Sequence, residues 1–124
     1  MPGRLLDKLT PAERKEFPLF DGCIAYFIDA LLAVSNISWH ATDQHHPGET
    51  MHWDRNKSKD ELNTCARHLS QHGAFDSDGK RHTAKAAWRA LALLQKELEE
   101  DLDLDLSPAS TKDEPKTTSR LCST

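Results

Sequence analysis

At 124 residues with a formal charge of −4 and a pI near 5.9, the chain has the size of one domain and lacks the net basic surface that broad binding to a nucleic-acid backbone requires. Hydrophobic residues make up 37% of it and the mean hydropathy is −0.68, so the core is modest and a protomer has reason to finish its burial against a partner. The three cysteines, Cys23, Cys65 and Cys122, form no C-x-x-C pair, which favours small buried thiols in a reducing, cytoplasmic setting over a disulfide framework.

The longest apolar run, Cys23 to Val34, is interrupted by Asp29 and preceded by Asp21, and reads as too short and too polar to span a bilayer. The first residues lack the basic, apolar and small-residue succession of a signal peptide, and Cys122 is not placed for prenylation. The expectation is a cytoplasmic protein with no membrane partner.

In chain order, residues 1–18 read as an arm with one brief helix. Thr10-Pro-Ala-Glu13 has a helix-start form, Thr10 capping, Pro11 at the first helical position and Glu13 reaching back; Pro18 stops it. A helical domain over 19–101 follows. Phe20, Ile24, Phe27, Ile28, Leu31, Leu32 and Val34 recur at helical intervals, with Asn36 as a natural stop. A long loop from about Ile37 to Lys57 comes next, holding Pro47-Gly48, Trp39, Trp53 and four of the histidines; loops of that length are usually functional or disordered.

Ser58-Lys-Asp-Glu61 forms a second capping box, opening a helix through His72 that Gly73 closes. Its expected inward stripe is Leu62, Cys65 and Leu69, with His72 beside it and His68 on its edge, so that the two histidines share a face. Phe75-Asp-Ser-Asp-Gly79 is a turn by composition. The last helix begins near Lys80 to Thr83 and runs to about Asp101, with Ala84, Ala87, Trp88, Leu91, Leu94 and Leu98 on one face and Ala86, Ala90 and Leu93 on a second. Two apolar faces imply packing on two sides, hence a homodimer or homotetramer. Residues 102–124 have the composition of a disordered tail. The fold expected is all-α, a small bundle of three to four helices.

Three sets of residues carry possible chemistry. The seven histidines are His40, His45, His46, His52, His68, His72 and His82; neutral imidazole with a carboxylate is a common metal-ligand set, yet no H-E-x-x-H spacing selects a trio, and local hydrogen bonding explains loop histidines equally well. The acidic pairs Glu13/Glu16 and Glu97/Glu100 have the E-x-x-E spacing that suits magnesium and phosphates, but their positions favour solvated faces. Asp76/Asp78 is the better metal candidate, with an ordinary Asx-type turn as the plain alternative. Among the cations, Arg67 and Arg89 sit in helices otherwise committed to packing, where a phosphate or an internal carboxylate would balance them.

Read in order, Trp53 with Asp54-Arg55-Asn56, then Arg67-His68-Leu69, then Gly73-Ala-Phe-Asp-Ser-Asp-Gly79, then His82-x-x-x-Ala86-Ala-Trp-Arg-Ala-Leu-Ala-Leu-Leu94 resembles the phage-associated dATP/dGTP diphosphohydrolase N-terminal family, MazG-like in general character. The resemblance covers about Leu19 to Glu99. It implies an all-α, metal-dependent hydrolase that cleaves a purine (deoxy)nucleoside triphosphate to monophosphate and pyrophosphate in the cytoplasm of an infected bacterium. Carried over, it points to His68, Asp76, Asp78 and His82 as catalytic and metal-holding residues, with Mg, Mn or Zn as the divalent ion. The chain departs from the family pattern at Lys85 and Ala86, where a second histidine is usual, at Arg89, where asparagine is usual, and in its histidine-rich loop. On this reading Trp39 and Trp53 wall the base, and Arg55, Arg67, Arg81 and Arg89 hold substrate. The alternative is a non-enzymatic phage accessory protein that binds a nucleotide or a host protein; a weaker third reading gives the basic stretch Arg55 to Lys59 a role with oligonucleotides.

Overall fold

The computed structural model describes residues 2–57, 59–108 and 110, and among them the fold is all-α. A 3₁₀ turn at Leu5–Lys8 leads to α1, Pro11–Arg14. The expected cap of α1 is formed: Thr10 Oγ1 accepts from the Glu13 amide at 3.1 Å and Glu13 Oε1 accepts from the Thr10 amide at 2.8 Å. A π-helical turn, Phe20–Ile24, then runs into α2, Ala25–His45, which kinks at Phe27 (φ −121°, ψ 29°). Helix α3 spans Glu61–Leu69 and α4 spans His82–Asp101. Helix α3 packs along α4, and α2 crosses α4 through its C-terminal half.

Helix α2 is longer than expected. Asn36 does not end it, and Trp39, His40, Asp43 and His45 are helical where a loop is predicted. The reason is the absence of any breaker between Gly22 and Pro47; the helix stops just before the first residue that forbids it. By length and composition the helical run Phe20–His45, with a best-window hydropathy of 1.4, is long and apolar enough to cross a membrane, which corrects the reading of this segment as too short and too polar.

The inward faces also differ from expectation. On α3 the buried residues are Glu61 and His68, while Leu62 (66% exposed) and Leu69 (50%) face outward. On α4 the buried residues are His82, Ala86, Ala92 and Glu99, while Leu91 and Leu94 are exposed. The second face is packed at His82 and Ala86, where the small alanine side chain lets α3 come close as expected, whereas Ala90 stays exposed. Polar partners decide the register: Glu61 accepts from Arg89 Nη1 at 3.0 Å and Lys96 Nζ at 2.9 Å, and Cys65 Sγ donates to the Ala86 carbonyl at 3.3 Å.

The expected N-terminus of α3 is also revised. Ser58 lies outside the described residues, and Asp60 precedes the helix without capping it through its side chain. Chain past Leu69 continues as turns to Gly73, whose φ of +86° places it in the left-handed region that reverses the chain.

Part of the expected tail is ordered. Leu104 is buried, the Asp105 amide donates to the Gly3 carbonyl at 2.8 Å, and Arg4 Nη1 donates to the carbonyls of Asp105 and Leu106, each at 2.7 Å. Residues 102–108 thus return along α4 and clasp the first residues of the chain. Residues 111–124 of the expected tail, Cys122 among them, lie outside the described residues.

Candidate metal centre and the cavity beside it

The turn between α3 and α4 is built to hold its carboxylates in place. The Asp76 amide donates to the Lys80 carbonyl at 2.8 Å and the Gly79 amide returns to the Asp76 carbonyl at 2.9 Å, with Gly79 at φ +83°. The His82 amide donates to the Ala74 carbonyl at 3.2 Å, so the turn feeds directly into the first residue of α4. Asp76 Oδ1 accepts from the Ser77 amide at 2.7 Å, and Asp78 Oδ1 accepts from the Lys80 amide at 3.0 Å.

This geometry brings His82 against His68 on the last turn of α3. Both imidazoles are buried, and their Nδ1 atoms are 2.8 Å apart with ring centroids at 5.1 Å. At that separation one Nδ1 donates and the other accepts, so at least one ring is neutral. Burial, followed by the nearby Arg67, His82 and Lys85, holds the His68 pKa below its usual value, which keeps it in the neutral form that binds a metal. The donor atoms of His68, Asp76 and His82 all lie within 4.8 Å of one another, and the three can hold a metal ion.

The donor set suits a divalent transition ion. Two imidazole nitrogens and a carboxylate oxygen are ordinary zinc or manganese ligands, and at metal–nitrogen distances of about 2.0–2.1 Å in tetrahedral geometry the two nitrogens sit roughly 3.3 Å apart. The present 2.8 Å separation therefore has to open by about 0.5 Å, within the reach of a small ring rotation.

Asp78 is placed differently. Lys85 Nζ donates to Asp76 Oδ2 and to Asp78 Oδ2, each at 2.8 Å, and His40 Nε2 lies 3.6 Å from Asp78 Oδ2. Asp78 is thus linked to the centre through a lysine ammonium and does not join the His68, Asp76, His82 group. Lys85 holds the Asp76 carboxyl well below the ordinary range, at about 2, with the Ser77 amide adding to the effect. It lowers Asp78 in the same way. Burial pulls the Lys85 ammonium down, but its two carboxylate partners more than offset this and raise it. Carbon-detected NMR titration of the carboxyls should place the Asp76 midpoint at about 2; Lys85→Ala should return it toward the ordinary carboxylate range and, by removing a competing cation, strengthen divalent-ion binding about tenfold.

Beside the centre lies a cavity of about 660 Å³, within the size range of small-molecule sites. Helix α2 supplies His40 and His45, the loop supplies Trp53 and Lys57, α3 supplies Arg67 and His68, and α4 supplies Lys85, Trp88 and Arg89. Trp53 and Trp88 meet edge to face at 5.8 Å, and Trp88 Nε1 donates to Ser38 Oγ at 2.7 Å, fixing this wall to α2. Arg89 is held by Glu61, whereas the Arg67 guanidinium makes no hydrogen bond or ion pair among the described residues.

Of the residues expected at a site, His68, Asp76 and His82 converge, and Trp53, Arg67, Arg89, Asp78 and His68 border the cavity. Arg55 does not border it: its guanidinium is buried in a bidentate pair with Glu99, both contacts at 2.7 Å, and covers a face of Trp53 at 4.0 Å. Arg81 lies over Phe75 at 4.7 Å, Trp39 is 53% exposed outside the cavity wall, and His72 is exposed and does not join the His68, Asp76, His82 group. Sequence reasoning missed Glu61 and Trp88 as parts of this region and placed Lys85 only among the cations around the loop and the acidic turn. Glu61 reads as a helix-start acid and Trp88 as a core residue, and only the spacing of Lys85 three residues after His82, one turn along the same face, carries a signal. No protein-family model, curated protein or solved structure matches this chain.

Proposed function

We propose that the protein is a metal-dependent nucleotide pyrophosphohydrolase, acting on purine (deoxy)nucleoside triphosphates in phage nucleotide metabolism. One observation carries the reading: the buried His68–His82 pair with Asp76 meets, through His68, a cavity walled by Trp53 and Trp88 and edged by Arg67. A divalent ion held there, Mg, Mn or Zn, would supply charge neutralisation at a phosphoryl group. Arg67 reaches toward the same phosphates, its guanidinium fork matched to their oxygens. Trp53 and Trp88, both in the cavity lining, offer the base aromatic surface. The Asp78–Lys85–Asp76 chain of hydrogen bonds positions the ligating carboxylate, and His68, kept neutral by burial, presents a lone pair at the cavity wall. Little covalent chemistry is asked of the protein, because positioning and electrostatics do most of the work in phosphoryl transfer.

The test is release of pyrophosphate from dATP, dGTP and the ribonucleotides with each of the three ions. The expected outcome is turnover in at least one pairing, reduced about 100-fold by His82→Ala. Absence of pyrophosphate and phosphate release from every nucleotide with every ion would remove the enzymatic reading.

The second reading, a non-enzymatic accessory protein that binds a nucleotide or a host protein, is favoured by Lys85, whose ammonium already balances Asp76 and Asp78. Metal-free protein that binds nucleotide tightly without turnover would establish it.

A further inference from the structure

Among the described residues, the N-terminal half of α2 has no packing partner beyond its own helical run. From Leu19 to Ala33 every residue is exposed or half-buried, and Leu19, Phe20, Tyr26, Phe27, Ile28 and Leu32 are between 48% and 72% exposed. The polar contacts of α2 with the rest of the fold begin at Asn36, which accepts from Lys80 Nζ, and continue through Ser38 and His40. Beyond Phe27 the exposed face is regular, with Ile28, Leu32, Ser35 and Trp39 following one another at four, three and four residues, the spacing of a helix-pairing seam. The rest of the described fold does not cover this face, and its buried apolar residues, among those described, are Ala86, Ala92 and Leu104.

We infer that this half of α2 is the interface by which two copies of the chain associate, α2 of one protomer packing on α2 of its partner across a two-fold axis. Three observations choose a second copy over a lipid bilayer. The unpartnered stretch, Leu19 to Ala33, rises only about 22 Å, short of the ~30 Å hydrocarbon core, because the fold is fastened to the helix from Asn36 onward by charged groups. Asp21 and Asp29 interrupt it. No lysine or arginine occurs between Lys15 and Arg55, so the helix lacks the basic flanks that anchor a segment to anionic headgroups.

The area agrees with a dimer. Half-exposed side chains of this size each leave on the order of 100 Å² open, so the six along this half of α2 together offer about 600 Å² per protomer, the lower end of what a specific interface buries on each side. A seam that meets itself is apolar against apolar, and it is complementary by symmetry. The surface lies on the half of α2 away from the cavity, and the inference does not depend on nucleotide chemistry.

Analytical sedimentation of the full chain at micromolar concentration should give a dimer, and the double variant Ile28→Glu, Leu32→Glu should raise the dissociation constant by at least about 100-fold with helix content by circular dichroism unchanged. Hydrogen exchange on the unaltered chain keeps the inference testable if that variant unfolds: amides of 20–33 should exchange faster at nanomolar than at micromolar concentration, those of α3 and α4 less so. A monomer at micromolar concentration with no concentration dependence of exchange would overturn it. So would a chain that is monomeric in buffer and floats with phosphatidylcholine or phosphatidylglycerol vesicles.

Discussion

Glu99→Ala should cost about 3 kcal/mol of stability, read as a lowered urea midpoint, because it leaves the Arg55 guanidinium buried without its counter-ion. The two side chains are only 7% and 6% exposed and meet through both forks at 2.7 Å. Glu99 is further held by Gln95 Nε2 at 2.9 Å and by the Ser107 amide at 2.9 Å, and Arg55 Nη2 donates to Ser107 Oγ at 2.9 Å. One carboxylate therefore fastens the loop, α4 and the returning C-terminal segment at a single point. The figure sits at the lower end for a broken buried pair because a cleft lined by Lys59, Lys96 and Glu100 gives water access to the orphaned cation.

The pH dependence follows the same pair. Burial alone would raise the Glu99 carboxyl, but Arg55, Gln95 and the Ser107 amide outweigh it and bring it below the ordinary carboxylate range. A depressed carboxylate stabilises the fold above its unfolded pKa and loses that contribution as the pH falls through its folded value. The difference between Glu99→Ala and the unaltered protein should thus be full at neutral pH and shrink in acid. A loss below about 1 kcal/mol at neutral pH would mean that the pair is no stronger than a surface contact.

His82→Ala should abolish divalent-ion binding, weakening it on the order of 100-fold or more by calorimetric titration with zinc or manganese, since it removes one of three ligands. The same loss is expected for His68→Ala. Asp78→Asn should act mildly, because Asp78 reaches the centre only through Lys85. The contrast separates ligation from general electrostatics: a field effect would make the Asp78 change comparable to the histidine changes. Ion binding should weaken as the pH falls and the ligating groups take up protons, and the lowered pKa of His68 keeps that ring available as a ligand below the usual imidazole range.

Much of the local architecture was legible in the residues. Thr10 and Glu13 announce their reciprocal cap, Gly79 marks the turn, and the last helix begins and ends where its pattern begins and ends. The convergence of His68, Asp76 and His82 was reached through resemblance to a family, whereas spacing alone left no trio preferred. What could not be read follows from burial. Periodicity identifies apolar faces but not which leucines are covered: it places Leu62, Leu69, Leu91 and Leu94 on inward faces, whereas the structure leaves them exposed and buries Glu61, His68 and Glu99, while the close helix approach permitted at Ala86 is realised. A buried glutamate looks in sequence like a solvated one until its arginine, forty-four positions away, is placed beside it. The tail over 102–108 has a disordered composition, and its order comes from Arg4 and Glu99, partners no local window contains. Asn36 tolerates the interior of a helix as readily as its end, so the extension of α2 was decided by Pro47.

The most direct measurement is diffraction at the manganese absorption edge from crystals soaked with Mn²⁺ and a non-hydrolysable dATP analogue. The account predicts one anomalous peak within ligand distance of His68, Asp76 and His82, with the triphosphate directed toward Arg67. Nucleotide bound in the cavity with no peak between the two histidines, or a peak held by other residues, would contradict it.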